Sequence, residues 1–367
     1  LRWCVLATWL ALLGACHASA DGSLRSLTLR QKLAQLVIVR FVGPAYIDDL
    51  DVMIRRQGVG GVTLYAIDGN IVDKGQVRAL TARMHRESTV PLVVAIDQEG
   101  GRVDRLVAIR GPRPSAAAIA ERGDPALAEA EGTADARHLA HLGIELNLAP
   151  VVDVTQIYNW QLEKRTYGYT PEPVIRMAGA YLNGLQASGR VVGTLKHFPG
   201  LGAVSEDPHR AVPHLAARRE DLENFDWVPY RALIRRGDVA AIMVTHMFLD
   251  AIDPSRPASL SAAVVTGILR DDLQFHGVVI ADALTMRGVA TDESLGDVAL
   301  QALVAGSDWL MGARTADDVE AILTRLERAI TDGTLSVERV DASVRRILAL
   351  KDRVGLLAGD GAAKQSP

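Results

Sequence analysis

The feature that most limits how this chain can fold is a rhythm of eight short, β-branched apolar runs, each followed by a longer amphipathic stretch. The runs are Leu36–Phe41, Gly61–Tyr65, Leu92–Ile96, Glu145–Leu148, Val191–Leu195, Ala240–Val244, Val278–Ile280 and Trp309–Met311. Helical patterns separate them at Tyr46–Arg56, Lys74–Glu87, Ala126–Leu142, Pro173–Ser188, Val228–Arg236, Ala262–Leu273, Leu295–Ala305 and Ala316–Thr331, and a last one spans Val337–Arg353. Strands apolar on both faces belong to a parallel sheet covered by helices. Eight strand–helix units in one chain predict an α/β protein, a (β/α)8 TIM-type barrel with a C-terminal helical extension. A doubly wound open sheet would want a glycine-rich turn after the first strand. Phe41-Val42-Gly43-Pro44 is not such a turn.

The N-terminus reads differently. Trp3 to Ala15 is an apolar run behind a single Arg2. About 13 apolar residues cannot span a bilayer that needs about 20, but they suit the hydrophobic region of a secretory leader. Ala18-Ser19-Ala20 offers an ordinary cleavage site, whereas Leu13-Gly14-Ala15-Cys16 resembles a lipoprotein box that would make Cys16 a lipidated membrane attachment. The expected divisions are a leader over 1–20, a catalytic barrel over 27–357 and a tail over 358–367. The product is expected to be exported, either lipid-anchored to the cell envelope or free outside the cytoplasm. Cys4 and Cys16 are the only cysteines, so a barrel starting beyond them has no disulfide or cysteine metal site. A balance of 40 basic against 44 acidic residues gives nucleic acid no basic footprint.

Chemistry in such a barrel sits where strands end. Strand three runs into Asp97, four into Asp153, five into Lys196 and His197, six into His246 and seven into Asp282. One Asp after a strand is usually a turn former and one His a rim residue. Five consecutive strand ends carrying titratable groups on one face make a polar pocket. Carboxylates and histidines without cysteine suit either a metal hydrolase or carboxylate-based glycosidic chemistry. A His-x-His pair at strand one and a His-Glu-x-x-His are both missing, which weighs against the metal reading.

Four segments carry a resemblance. Lys196-His197-Phe198-Pro199-Gly200-Leu201-Gly202 with Asp207-Pro208-His209 resembles the KHFPGHG…D-x-H loop of glycoside hydrolase family 3, in its single-barrel β-N-acetylglucosaminidases. Asp97-Gln98-Glu99-Gly100-Gly101-Arg102-Val103 is similar to the family's DQEGGRV segment. Asn147 to Val154 and Ala281 to Met286 match two further signatures in the same order. Leu201 departs from the family, standing where the loop usually has a second His, and Pro208 separates Asp207 from His209.

The resemblance implies a retaining hydrolase that removes terminal N-acetylglucosamine from peptidoglycan-derived glycans, as in cell-wall recycling. Asp282 would be the nucleophile and His209 the acid/base, with Asp207 as its partner. Asp97, Arg105, Arg165, Lys196 and His197 would bind the sugar. No cofactor or metal is implied, and a monomer is expected. Phosphorolysis, a β-glucosidase and an exported sugar-binding lipoprotein without catalysis are the competing readings; a β-glucosidase of the family usually carries a second domain.

Overall fold

The computed structural model describes residues 22–206, 213–286 and 293–357. Eight parallel strands close into a barrel: β1 Val37–Val39, β2 Gly61–Leu64, β3 Val93–Ile96, β4 Leu146–Asn147, β5 Val192–Phe198, β6 Ala241–Val244, β7 Val278–Ala281 and β8 Trp309–Ala313. Each strand pairs with its sequence neighbours, and β1 pairs with β8, Val37 facing Leu310 and Ile38 facing Met311. Every residue of these strands is buried, which is why they read as unbroken apolar runs rather than alternating ones. The expected (β/α)8 barrel is the observed architecture.

The main helices are α1 Lys74–Glu87, α2 Pro125–His141, α3 Pro171–Gln186, α4 Val228–Ile234, α5 Leu295–Ala305, α6 Ala316–Thr331 and α7 Val337–Arg353. Five of them begin where a side chain can satisfy an orphan amide. Asp73, Asp124, Ser294, Thr315 and Ser336 accept from the backbone N–H groups of Gln76, Ala126, Asp297, Asp318 and Arg339. Each such cap is worth about 1 kcal/mol. Helix α6 buries Val319, Ile322, Leu323, Leu326 and Ala329, the stripe expected of a helix lying on a sheet. The segments expected as helices at Tyr46–Arg56 and Ala262–Leu273 wind more widely. The first is helical over Asp48–Asp51 and then π-type over Val52–Gln57, and the second is π-type over Ala263–Asp272.

Helices α2 and α3 approach each other closely at two glycines. A Cβ added at Gly184 would stand 1.9 Å from the Glu129 carbonyl oxygen, and one at Gly132 would stand 2.1 Å from that of Tyr181. Ala128 and Ala136 share the buried face of α2, so small residues set the spacing.

The floor of the barrel is closed by α7. Buried Asp308, just before β8, accepts from Ser343 Oγ at 2.6 Å and Arg346 Nη1 at 3.0 Å, and also from Arg270 Nη2 and the Val279 N–H. Lys351 is fully buried and donates to Gln35 Oε1 and the Pro91 carbonyl. Burial pulls its pKa down to about 7. Trp309 Nε1–H donates to the Gln35 carbonyl at 3.0 Å. No helix among the described residues is long and apolar enough to cross a membrane.

Candidate active site

At the opposite, C-terminal end of the strands lies a cavity of about 490 Å³. Six of the residues singled out from the sequence line it together: Asp97, Arg105, Arg165, Lys196, His197 and Asp282. Asp207 and His209 lie outside the described residues. The wall also includes Arg40, Tyr65, Glu99, Arg102, Trp160, Leu201, Met243, Thr245 and Met286.

The centre is an alternating chain of charges. Lys196 Nζ lies 2.6 Å from Asp97 Oδ1 and 2.7 Å from Glu99 Oε1. Glu99 in turn takes a two-pronged contact from Arg165, Nε to Oε2 and Nη2 to Oε1, both at 2.7 Å. Such a fork-to-fork pair fixes the guanidinium plane as well as its position. Burial opposes the charge on Glu99, yet the adjacent Arg165 and Lys196 hold its carboxyl well below the usual carboxylate range. Burial likewise works against Arg165 and Lys196, and their carboxylate neighbours more than offset it, so both stay cationic.

The central place of Glu99 is not apparent from the sequence segment that contains it. Glu99 stands in a hairpin of Gln98–Gly100 against Val103–Asp104 that folds back directly after β3. Gln98 anchors that hairpin, donating to Asp104 Oδ1 and accepting from the Leu106 N–H. Gly100 at φ 89° and Gly101 at φ 59° make its turn. A carboxylate inside a buried hairpin beside Asp97 demands a cationic partner, and that was the available signal.

Lys196 and His197 were expected just past strand five; they lie inside β5, which runs on to Phe198. Asp153 and His246, expected at strand ends as part of the same pocket, do not line the cavity. Asp153 works behind His197 instead: its Oδ2 is 2.7 Å from His197 Nδ1, and its Oδ1 accepts the Leu201 N–H at 2.8 Å. His197 thereby turns Nε2 toward Arg165 Nη2, 3.4 Å away. His246 contacts Ser259 Oγ through Nδ1 at 2.6 Å and the Ala283 carbonyl through Nε2 at 3.1 Å. That carbonyl can only accept, so Nε2 carries the proton and the ring braces the residue next to Asp282.

Asp282 follows the last residue of β7. Its backbone N–H donates to the Val244 carbonyl of β6 at 3.0 Å, and its Oδ1 accepts the Ala283 N–H at 2.7 Å. Oδ2 has no hydrogen-bond partner among the described residues. A carboxylate fixed at the backbone, with one oxygen occupied and the other unpartnered among the described residues, is suited to attack an electrophilic carbon.

Leu201 is buried at the cavity wall beside Asp153. Its carbonyl accepts from Asn159 Nδ2, which also reaches the Val204 carbonyl. Gly202 packs so closely that a Cβ there would stand 1.7 Å from the Val154 carbonyl oxygen. Beneath, Asp226 accepts from Gln156 Nε2 through both oxygens. Burial, with Asp153 adding to it, lifts the Asp226 pKa to about 7. Among the described residues no group of three or more His, Cys, Asp or Glu side chains is arranged to hold a metal ion.

Comparison with known proteins matches residues 28–350 to the family described as Glycosyl hydrolase family 3 N terminal domain. The chain is 35% identical over 335 residues to Beta-hexosaminidase LpqI of Mycobacterium tuberculosis, covering 89% of this chain and 83% of that one. The solved structure of M. tuberculosis LpqI superposes with a TM-score of 0.81 at 34% identity, covering 89% and 94% of the two chains. A glycoside hydrolase family 3 beta-N-acetylglucosaminidase from Paenibacillus sp. superposes with a TM-score of 0.84 at 36% identity. The match covers 93% of this chain but 65% of that longer one.

Proposed function

The chain belongs to glycosyl hydrolase family 3, and from that premise we propose that it is a retaining β-N-acetylglucosaminidase acting on terminal N-acetylglucosamine of peptidoglycan-derived glycans. The observation that carries this reading is the convergence of Asp97, Arg105, Arg165, Lys196, His197 and Asp282 on one cavity at the strand ends. The names of the similar beta-hexosaminidases support the choice of sugar.

In this reading Asp282 Oδ2 attacks the anomeric carbon and forms an acylal ester as the glycosidic bond breaks. His209 gives its proton to the departing oxygen, then takes one from water, which attacks the same carbon and releases Asp282. Two displacements return the β configuration. Asp207 would keep the imidazole oriented and favour its charged form. Asp97 accepts from sugar hydroxyls, while Lys196, Arg105 and Arg165 donate to hydroxyl or amide oxygens. Their prior engagement with one another keeps them in place before substrate arrives, so little ordering is left for the binding step.

The test compares aryl N-acetylglucosaminide with aryl glucoside. The first is expected to be hydrolysed far faster, with retained stereochemistry, and a fluorinated slow substrate is expected to label Asp282. Inverted product, or a label elsewhere, overturns the reading. Running the reaction with and without phosphate separates hydrolysis from phosphorolysis. We also assign the leader to export with lipidation at Cys16; Cys16→Ala should shift the enzyme from the membrane fraction to the soluble one.

A further inference from the structure

Tyr65 follows β2 and lines the cavity. Its surroundings hold the ring without using the hydroxyl. The Arg40 guanidinium lies over the ring at 4.7 Å from the centroid and that of Arg105 at 5.8 Å. Arg40 is itself clamped by buried Asp68, Nε to Oδ2 at 2.8 Å and Nη2 to Oδ1 at 2.6 Å, so its charge is already answered. The Tyr65 backbone N–H donates to Asn70 Oδ1, and Asn70 Nδ2 donates on to the Phe41 and Gly43 carbonyls. The loops after β1 and β2 thus form one braced unit behind the ring. Among the described residues the phenolic hydroxyl has no hydrogen-bond partner.

The chemistry in front of it is incomplete in a complementary way. Asp97 Oδ1 is taken by Lys196, whereas Oδ2 faces Arg105 Nη2 at 3.9 Å, beyond hydrogen-bond length. A sugar hydroxyl donating to Oδ2 would still have lone pairs to satisfy. We propose that Tyr65 is a sugar-binding residue whose hydroxyl donates to the pyranose hydroxyl that gives its own proton to Asp97. Burial, reinforced by Asp97 and Asp282, raises the Tyr65 pKa, which keeps the group a donor throughout the working range. The pair would select for a hydroxyl at that ring position, because a sugar lacking it leaves both partners unanswered.

The assignment rests on the glycosidase reading above, and the experiment separates the two. Full-length wild type and Tyr65→Phe are compared on aryl β-N-acetylglucosaminide and on its analogues lacking the C3, C4 or C6 hydroxyl. Tyr65→Phe should lower kcat/KM roughly 3- to 10-fold on the parent, and the deficit should vanish for one analogue alone. A parent kcat/KM equal to wild type overturns the assignment. So does an equal deficit on every analogue, the outcome expected if Tyr65 only packs or donates to Asp282. If Tyr65→Phe does not fold, wild type must still lose more on one of the analogues than on the others, and a flat series overturns the assignment. Wild type inactive on the parent sugar removes the glycosidase reading instead.

Discussion

Replacing Glu99 by Gln tests the electrostatic core of the site. The substitution keeps shape and one carbonyl oxygen but removes the charge that Arg165 and Lys196 share. Three contacts of 2.7 Å are affected, two from Arg165 and one from Lys196. Whichever way the amide turns, its NH2 group faces one of these donors. Arg165 would keep one of its two bonds, to the remaining amide oxygen, together with its bond to the Gln161 carbonyl at 3.0 Å and the longer approach to His197. Breaking a buried ion pair from one side costs about 3–5 kcal/mol. At about 2 °C or less per kcal/mol in a domain of this size, the melting temperature should fall by roughly 5–10 °C. The pH dependence sharpens the test. Glu99 has a lowered pKa in the fold, so its contribution is complete above the ordinary Glu value of about 4.3 and is lost as pH falls toward its lowered one. Calorimetry should therefore show the full gap between wild type and variant at pH 6–7 and a narrowing gap below about pH 4. A loosened Arg165 should also cost on the order of 10²-fold in kcat/KM. A gap of the same size at pH 3.5 and pH 7, or a loss under about 1 kcal/mol, would refute the view that Glu99 holds the two cations by its charge.

Asp226→Asn should stabilise the enzyme at pH 8 and leave it nearly unchanged at pH 4. A carboxyl raised to about 7 in the fold, against about 3.9 unfolded, favours folding fully below pH 4 and loses that advantage as pH rises through 7, a swing of up to about 4 kcal/mol; melting curves across that range check it. Gly184→Ala forces a methyl into the Glu129 carbonyl and should cost about 1–3 kcal/mol or more in denaturant unfolding, with catalysis of the folded fraction intact. His209→Ala should lose on the order of 10²–10⁴ in turnover of poor leaving groups and less on activated aryl ones; equal, small losses on both would remove His209 from the acid/base role.

The barrel was legible because its strands are buried on both faces and its helices are capped by side chains. α1, α5, α6 and α7 span the same residues that the sequence pattern assigns, and each starts behind a Ser, Thr or Asp that accepts a backbone amide. The hairpin over Gln98–Asp104 is not legible in the sequence, because its short strands are held by side chains of Gln98 and Asp104 rather than by apolar alternation. Arg40 and Tyr65, both on the cavity wall, stand just past the observed ends of β1 and β2, and the apolar runs of the sequence, which extend to Phe41 and Tyr65, hide them as strand residues. The roles of Asp153 and His246 were not legible, since a group behind the pocket and a group in it follow a strand alike. Only the contacts of Asp153 with His197 and of His246 with Ala283 separate them.

Zipping β1 against β8 joins residues from opposite ends of the sequence, with the Trp309 indole bonded to the Gln35 carbonyl and Arg30 reaching Glu320 and Glu327. Until the last strand has left the ribosome, the nascent sheet carries two naked edges and a greasy lumen open along one side. Such an intermediate invites pairing with its neighbours. Cells making this polypeptide at high concentration should need holdase chaperones during synthesis, and a version truncated before Trp309 should aggregate rather than fold into a smaller barrel.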